Sequence, residues 1–210
     1  KKLQNMSPDE FIDKILSKLN IKYLMVGDDF KFGKERSGDF DFLSDWGSNN
    51  QIEVDRIPTH SFEGRRVSST WIRESIADGN FDLAAKLLDR RYTFSGKVVF
   101  GNKVGRTIGV PTANIWVPKS NLPIKGVYAV KALVKGETFN GIANMGVRPT
   151  VGGTSPVLEI HIFDFNEEIY GCRIEVEFYQ KIRNEKKFEN LDKLKEQINL
   201  DIAETRKYFS

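Results

Sequence analysis

Thr112 and Asn114 stand two residues apart in the stretch GRTIGVPTANI, Gly105 to Ile115. On a strand, residues two apart share a face. A hydroxyl and a carboxamide oxygen side by side are hard donors. They are too few to hold a bare Mg²⁺, but they suit one already carried on nucleotide phosphates. Pro111 stiffens the approach by fixing its own backbone angle. Upstream, Gly101, Gly105 and Gly109 recur every four residues, with Lys103 and Arg106 between them. Glycine lets backbone N–H groups come close to phosphate oxygens, and the basic side chains neutralise those oxygens. A glycine-rich hairpin ending in a Thr–Asn turn accounts for the same residues, and both readings stand at this level. The loop is not a Walker A motif, which needs G-x-x-x-x-G-K-[ST] before a helix. Here the glycine spacing is one short, Arg replaces Lys, and a strand pattern follows.

The second candidate lies in PVLEIHIFD. Leu158, Ile160 and Ile162 alternate on one face and are expected in the core, while Val157, Glu159, His161 and Phe163 share the other. A carboxylate flanked by apolar residues can serve as a general base, because partial desolvation raises its pKa towards the working range. A solvated strand face is the commoner fate of such a Glu. His161 is a neighbour or a second candidate. ANMGVRPT, Ala143 to Thr150, reads as a loop that lines a pocket or turns the chain. KIRNEKKF, Lys181 to Phe188, reads as a basic link in which Arg183 and Phe188 either clamp a planar ligand or face solvent.

Two styles of sequence position these residues. Up to about residue 90 the pattern is α/β. Ser7-Pro8-Asp9-Glu10 is a helix start with a Ser cap, Pro at the first position and Glu at the third. IKYLMVG reads as a buried parallel strand, GDFDFLSDW as a short helix and QIEVDRI as another strand. Ser68-Ser69-Thr70 caps the helix WIRESI, and Asn80 caps NFDLAAKLL. From Arg91 the chain becomes strand-like: SGKVVFG, GVYAVKALV, ETFNGIANMG, PVLEIHIFDF and CRIEVEFYQ, separated by short turns. Such spacing suits a compact antiparallel barrel or a sandwich. A helix from Asn190 closes the chain, with Leu191, Leu194, Ile198 and Ile202 as its apolar stripe. The change of style falls in DRRYT, near residues 89 to 92.

Bulk properties exclude several classes. A formal charge of +3 over 210 residues is too weak to argue for nucleic acid or a membrane surface. No apolar run is long enough to span a bilayer. Cys172 is the sole cysteine, so no internal disulfide forms and a reducing cytoplasm is the natural setting. With only His60 and His161 besides, a zinc constellation or Ser–His triad is a poor fit.

In order along the chain, GNKVGRTIGVPTANI, GVYAV, IANMGVRPT, LEIHIFDF, IYG, VEFYQKIRNEKKF and LKEQINLDI resemble the riboflavin kinase domain, over residues 91 to 210. The PTAN segment is the most specific of these. VGDDFKFGKERSGD and VSSTWIRESI resemble the later part of the adenylyltransferase domain of bacterial bifunctional riboflavin kinase/FAD synthetases, over residues 1 to 90. The resemblance implies an α+β chain: a partial α/β Rossmann-like nucleotidyltransferase segment, then a six-stranded antiparallel Greek-key β-barrel with a C-terminal helix. It implies transfer of the γ-phosphoryl of MgATP to riboflavin, giving FMN. Thr112 and Asn114 would then hold Mg²⁺ and the phosphates. Glu159 would be the base, and the loop with Gly101, Lys103, Gly105, Arg106 and Gly109 would cover ATP. Arg148, Arg183 and Phe188 would lie near the flavin. Ser68, Ser69, Thr70 and Arg73 would mark a residual adenylyltransferase nucleotide site at a helix N-terminus.

The family's adenylyltransferase domain opens on an H-x-G-H type motif, which this sequence lacks. The chain also begins Lys1-Lys2, without methionine. The expectation is therefore a piece of a longer protein that makes FMN but not FAD by itself. A non-catalytic flavin- or nucleotide-binding protein on the same barrel is the alternative, and intact Thr112, Asn114 and Glu159 count against it. Small-molecule substrates are expected, without nucleic acid or membrane partners; oligomeric state is not legible.

Overall fold

A computed structural model describes residues 3–101, 104–117, 123–150 and 153–210. The chain divides into two compact units, one ending at Val67 and one beginning at Ser68.

The first unit is a βαβ arrangement. Helix α1 (Pro8–Lys14) opens on the reciprocal cap that the sequence predicts: Glu10 N–H donates to Ser7 Oγ and Ser7 N–H to the Glu10 carboxylate, each at 3.1 Å. Strand β1 (Tyr23–Gly27) pairs in parallel with β2 (Glu53–Ile57), and α2 (Phe40–Asn49), capped by Asp39, lies between them in sequence. Ile12, Leu16, Val26, Phe32 and Leu43 form the core of this unit. A short hairpin of β3 (Ser61–Phe62) and β4 (Arg65–Arg66) follows. The sequence reading of β1 as a buried parallel strand holds for the parallel pairing and is corrected for burial: Val26 is buried, but Met25 is 49% exposed. Alternate residues of a strand face opposite ways: Val26 belongs to the apolar core of this unit, and Met25 faces away from it.

The second unit begins with α3 (Ser69–Ala77) and α4 (Phe81–Leu88), capped by Ser68 and Asn80. Gly79 turns the chain between them at φ +80°. Phe81 is 1% exposed, its ring 5.7 Å from Phe178 and 5.6 Å from Tyr128. Burying one such side chain stabilises by about 1.5–3 kcal/mol, and Ile76 and Ala84 join the same core. That packing sets the unit boundary at Val67, well before the change of sequence style near residue 90.

Six strands then close an antiparallel barrel: β5 (Thr93–Val99), β6 (Ala113–Trp116), β7 (Gly126–Val134), β8 (Glu137–Thr150), β9 (Gly153–Ile162) and β10 (Arg173–Arg183). Around the barrel the order is β10, β5, β6, β9, β8, β7. β7, β8 and β9 form a meander, while β6 lies beside β9 rather than β7, which makes the path a Greek key. Ile115, Val130, Leu158, Ile160, Val176 and Phe178 fill the interior. Closure gives each of these six strands a neighbour on both sides.

Three local expectations change. Ala143–Thr150 is strand, not loop, and pairs with Gly153–Ile160 along β9; that long-range partner is invisible to local composition. The glycine-rich loop contains one helical turn, α5 (Val104–Thr107). Helix α6 (Leu191–Phe209) starts at the expected Asn190 cap, but Leu191 is 58% exposed while Asp201 and Thr205 are buried. Leu194, Ile198 and Ile202 of the expected stripe are partly buried, and Asp201 joins their face because Arg183 supplies the partner that a buried carboxylate needs.

Candidate functional site

On the β6–β9 ladder Asn114 stands opposite Glu159, and on the β9–β8 ladder Glu159 stands opposite Asn144. Opposed residues on antiparallel strands bring their Cβ atoms to about 4.5–5.5 Å. A row of carboxamide, carboxylate and carboxamide therefore crosses three strands. The strand neighbours Ile115, Leu158, Ile160, Ala143 and Met145 belong to the core, so the row faces outwards. Asn114 is nevertheless only 5% exposed. Gly101 lies directly over it: a Cβ at Gly101 would stand 2.7 Å from Asn114 Oδ1. This close approach is what requires glycine at 101.

Thr112, one step earlier on the same face as Asn114, lines a cleft of about 80 Å³. Its walls include Arg106, Pro111 and Thr112 on one side and Phe165, Ile169 and Tyr170 on the other. A smaller adjoining recess is lined by Gly101, Arg106, Thr112, Asn114 and Tyr170. The glycine loop, Thr112 and Asn114 thus converge on one place. Gly105 packs against the Val110 carbonyl and accepts that residue's N–H at 2.8 Å, which folds the loop back on itself. Gly109 makes the return at φ +82°. The segment from Phe165 to Tyr170 was missed at the sequence level apart from IYG; it carries a mixed apolar and acidic composition that resembles any surface turn.

His161 shares the outer face of β9 with Glu159. Its Nδ1 lies 2.8 Å from the Pro111 carbonyl. A carbonyl oxygen only accepts, so Nδ1 carries the proton and donates. His161 is a neighbour of the candidate base, and its hydrogen bond goes to the loop leading into Thr112.

Other candidates lie elsewhere. Arg183 is committed to Asp201: Nε donates to both carboxylate oxygens at 3.0 and 2.8 Å, and the side chain also reaches the Asn184 carbonyl. Phe188 stacks below Arg183 and Lys186, with the Arg183 guanidinium 5.7 Å and the Lys186 ammonium 5.2 Å from its ring centroid. Lys186 reaches Gln197, which donates to Asp201. Neither Arg183 nor Phe188 lines the Thr112 cleft. Glu185, in the same segment, brings its carboxylate against Gly146, near Asn144. Lys103 lies outside the described residues, and of Arg148 only the backbone, opposite Ser155, is described. Ser68 Oγ accepts the Trp71 N–H at 3.2 Å as a helix cap, and Ser69, Thr70 and Arg73 are exposed around it.

Among the described residues no group of three or more His, Cys, Asp or Glu side chains is placed to hold a metal. The donor set at the cleft is instead a hydroxyl and a carboxamide oxygen beside Arg106. That set fits a magnesium ion brought in on phosphates, which supply most of its oxygen ligands themselves.

Against known proteins, a riboflavin kinase family model matches residues 88–209 and an FAD synthetase model matches residues 1–71. The bifunctional riboflavin kinase/FMN adenylyltransferase of Haemophilus influenzae is 48% identical over 204 residues, covering 96% of this chain and 66% of the relative. The protein of the same description from Pseudomonas fluorescens is 44% identical over 207 residues, covering 98% of this chain and 67% of that one. A crystal structure described as a macrolide-efflux protein from Streptococcus pneumoniae superposes with a TM-score of 0.76 at 33% identity, covering 98% of this chain and 67% of that one. Efflux is said of that protein; among the described residues of this chain no helix is long and apolar enough to cross a membrane. The closed barrel with its oxygen-rich row is the part that the riboflavin kinase model covers. The chain belongs to the family of bifunctional riboflavin kinase/FMN adenylyltransferases. It spans about two thirds of the length of these curated relatives.

Proposed function

We propose that this chain transfers the γ-phosphoryl group of ATP to the 5′-hydroxyl of riboflavin, releasing FMN and ADP. The observation that supports this most is the convergence of Thr112, Asn114 and Gly101 on one recess, with Glu159 in register beside Asn114. Phosphoryl transfer requires positioning and charge neutralisation more than covalent participation by the protein. Glu159 accepts the proton leaving the attacking hydroxyl. Thr112 and Asn114 would hold the Mg²⁺ that arrives with ATP, and the ion would supply neutralisation of the phosphate oxygens. Arg106 adds positive charge at the rim. The apolar wall of Phe165, Ile169 and Tyr170 suits the uncharged end of the nucleotide.

Residues 91–210 are then the riboflavin kinase domain, and residues 1–90 the C-terminal part of an FMN adenylyltransferase domain. Helices α3 and α4 belong to the second by sequence and to the barrel by packing. Ser68, Ser69, Thr70 and Arg73 are what the sequence retains of an adenylyltransferase nucleotide site. A full-length protein of this family would also convert FMN to FAD, with pyrophosphate as the second product, and would work in the cytoplasm on small molecules. The 210-residue chain, without an H-x-G-H motif, does not complete that second reaction.

The test is chromatography of products after incubating the purified chain with riboflavin, ATP and Mg²⁺. FMN without FAD supports the whole reading. FMN followed by FAD removes the reading that this chain does not complete adenylyl transfer. A folded chain that binds riboflavin and makes neither product supports a non-catalytic flavin-binding protein instead.

A further inference from the structure

We infer that His161 is a positioning residue for the nucleotide: its imidazole holds the peptide from which Thr112 projects. This rests on the proposed role of Thr112. The β6–β9 ladder runs Trp116↔Val157, Ile115↔Leu158, Asn114↔Glu159, Ala113↔Ile160 and then stops. The next step in register sets Thr112 opposite His161, on the same outer face as Asn114 and Glu159. Backbone pairing cannot carry on past that point in the ordinary way, because Pro111 has no N–H to give. The His161 side chain takes over where the ladder ends: Nδ1 donates to the Pro111 carbonyl at 2.8 Å. That carbonyl belongs to the same planar peptide as the Thr112 nitrogen, so the bond fixes the plane from which Thr112 Oγ1 is aimed. The ring is itself braced by Phe163, at 5.6 Å between centroids in an edge-on arrangement, and Phe163 is buried with Val127 and Ile142. One strand thus carries the base at Glu159 and, two residues on, the clamp on the phosphate-binding turn. The spacing between proton acceptor and phosphates is set within β9.

His161→Asn keeps a donor N–H at nearly the place of Nδ1, whereas His161→Leu keeps bulk and loses the donor. Steady-state FMN formation is measured for both variants, with Thr112→Ala beside them, and MgADP binding is titrated in parallel. His161→Leu is expected to raise KM for MgATP by about tenfold, the upper end for one hydrogen bond. Its KM for riboflavin stays within about twofold, and His161→Asn returns KM for MgATP to within about threefold. A wild-type KM for MgATP in His161→Leu overturns the inference. So does an equal rise in both KM values, or an Asn variant as impaired as the Leu variant. If the wild-type chain makes no FMN, the proposed function fails separately. The MgADP titration still decides the contact in that case: weaker binding by His161→Leu than by His161→Asn supports it, and equal binding overturns it.

Discussion

Asn114 and Glu159 face each other across adjacent strands of a closed barrel, and Gly101 seals the Asn114 carboxamide from above. Neither residue can move along its strand without shifting a core neighbour, because Ile115, Leu158 and Ile160 are each 0% exposed. The rigid interior therefore sets the distance between the proposed metal–phosphate ligand and the proposed base.

Replacing Glu159 with Gln keeps the shape and removes proton acceptance. We expect kcat for FMN formation to fall by about 10²–10⁴-fold, the usual contribution of a general base. MgADP binding should stay close to wild type. A kcat within a few-fold of wild type would remove Glu159 from the mechanism.

Gly101→Ala introduces a methyl group where the Asn114 carboxamide already sits. Overpacking of this kind costs about 1–3 kcal/mol. Because Gly101 lies on a loop beside the recess, the strain is expected to be relieved by displacing Asn114 rather than the barrel. KM for MgATP should rise while the melting temperature moves little. An unchanged KM would show that the loop yields instead.

Arg183 and Asp201 form an ion pair whose side chains are 19% and 3% exposed. Removing one partner of such a buried pair costs about 3–5 kcal/mol, because the other charge is left without compensation. Asp201→Ala should therefore lower stability towards urea clearly, and Arg183→Ala should do the same. If Arg183 served the flavin alone, Asp201→Ala would leave stability intact and Arg183→Ala would change only KM for riboflavin.

Much of this was legible in advance. The helix caps at Ser7, Ser68, Asn80 and Asn190 could be read from local chemistry, because a cap depends on residues within one turn. The inward face of β9 followed from alternation alone. The rest depended on partners distant in sequence. Ala143–Thr150 looks like a loop until β9 pairs with it. Asp201 looks like a solvent residue until Arg183 reaches it. Asn144 acquires meaning only from its register with Glu159, and His161 only from Pro111, fifty positions away. The Thr112–Asn114 pair was visible because the two residues stand two apart at the start of one short strand, but the wall from Phe165 to Tyr170 that completes its cleft was not.

Asp164 receives the Arg206 guanidinium on both oxygens, at 2.9 and 3.0 Å. That hydrogen-bonded pairing holds the Asp164 carboxyl below the usual carboxylate range. A lowered folded-state pKa contributes stability that is present above the unfolded value, about 3.9, and is lost as pH falls through the folded value. The stability difference between wild type and Arg206→Ala should therefore be flat from neutral pH to about pH 5 and shrink below about pH 4. Urea denaturation across that range checks it, and a difference that grows on acidification would contradict the pairing.

The central claim is tested most directly by following the label from [γ-³²P]ATP in the presence of riboflavin and Mg²⁺. The account predicts that the label appears in FMN with unlabelled ADP as the co-product, and that Glu159→Gln abolishes most of this transfer. Label that stays out of FMN, in inorganic phosphate or pyrophosphate, would contradict it.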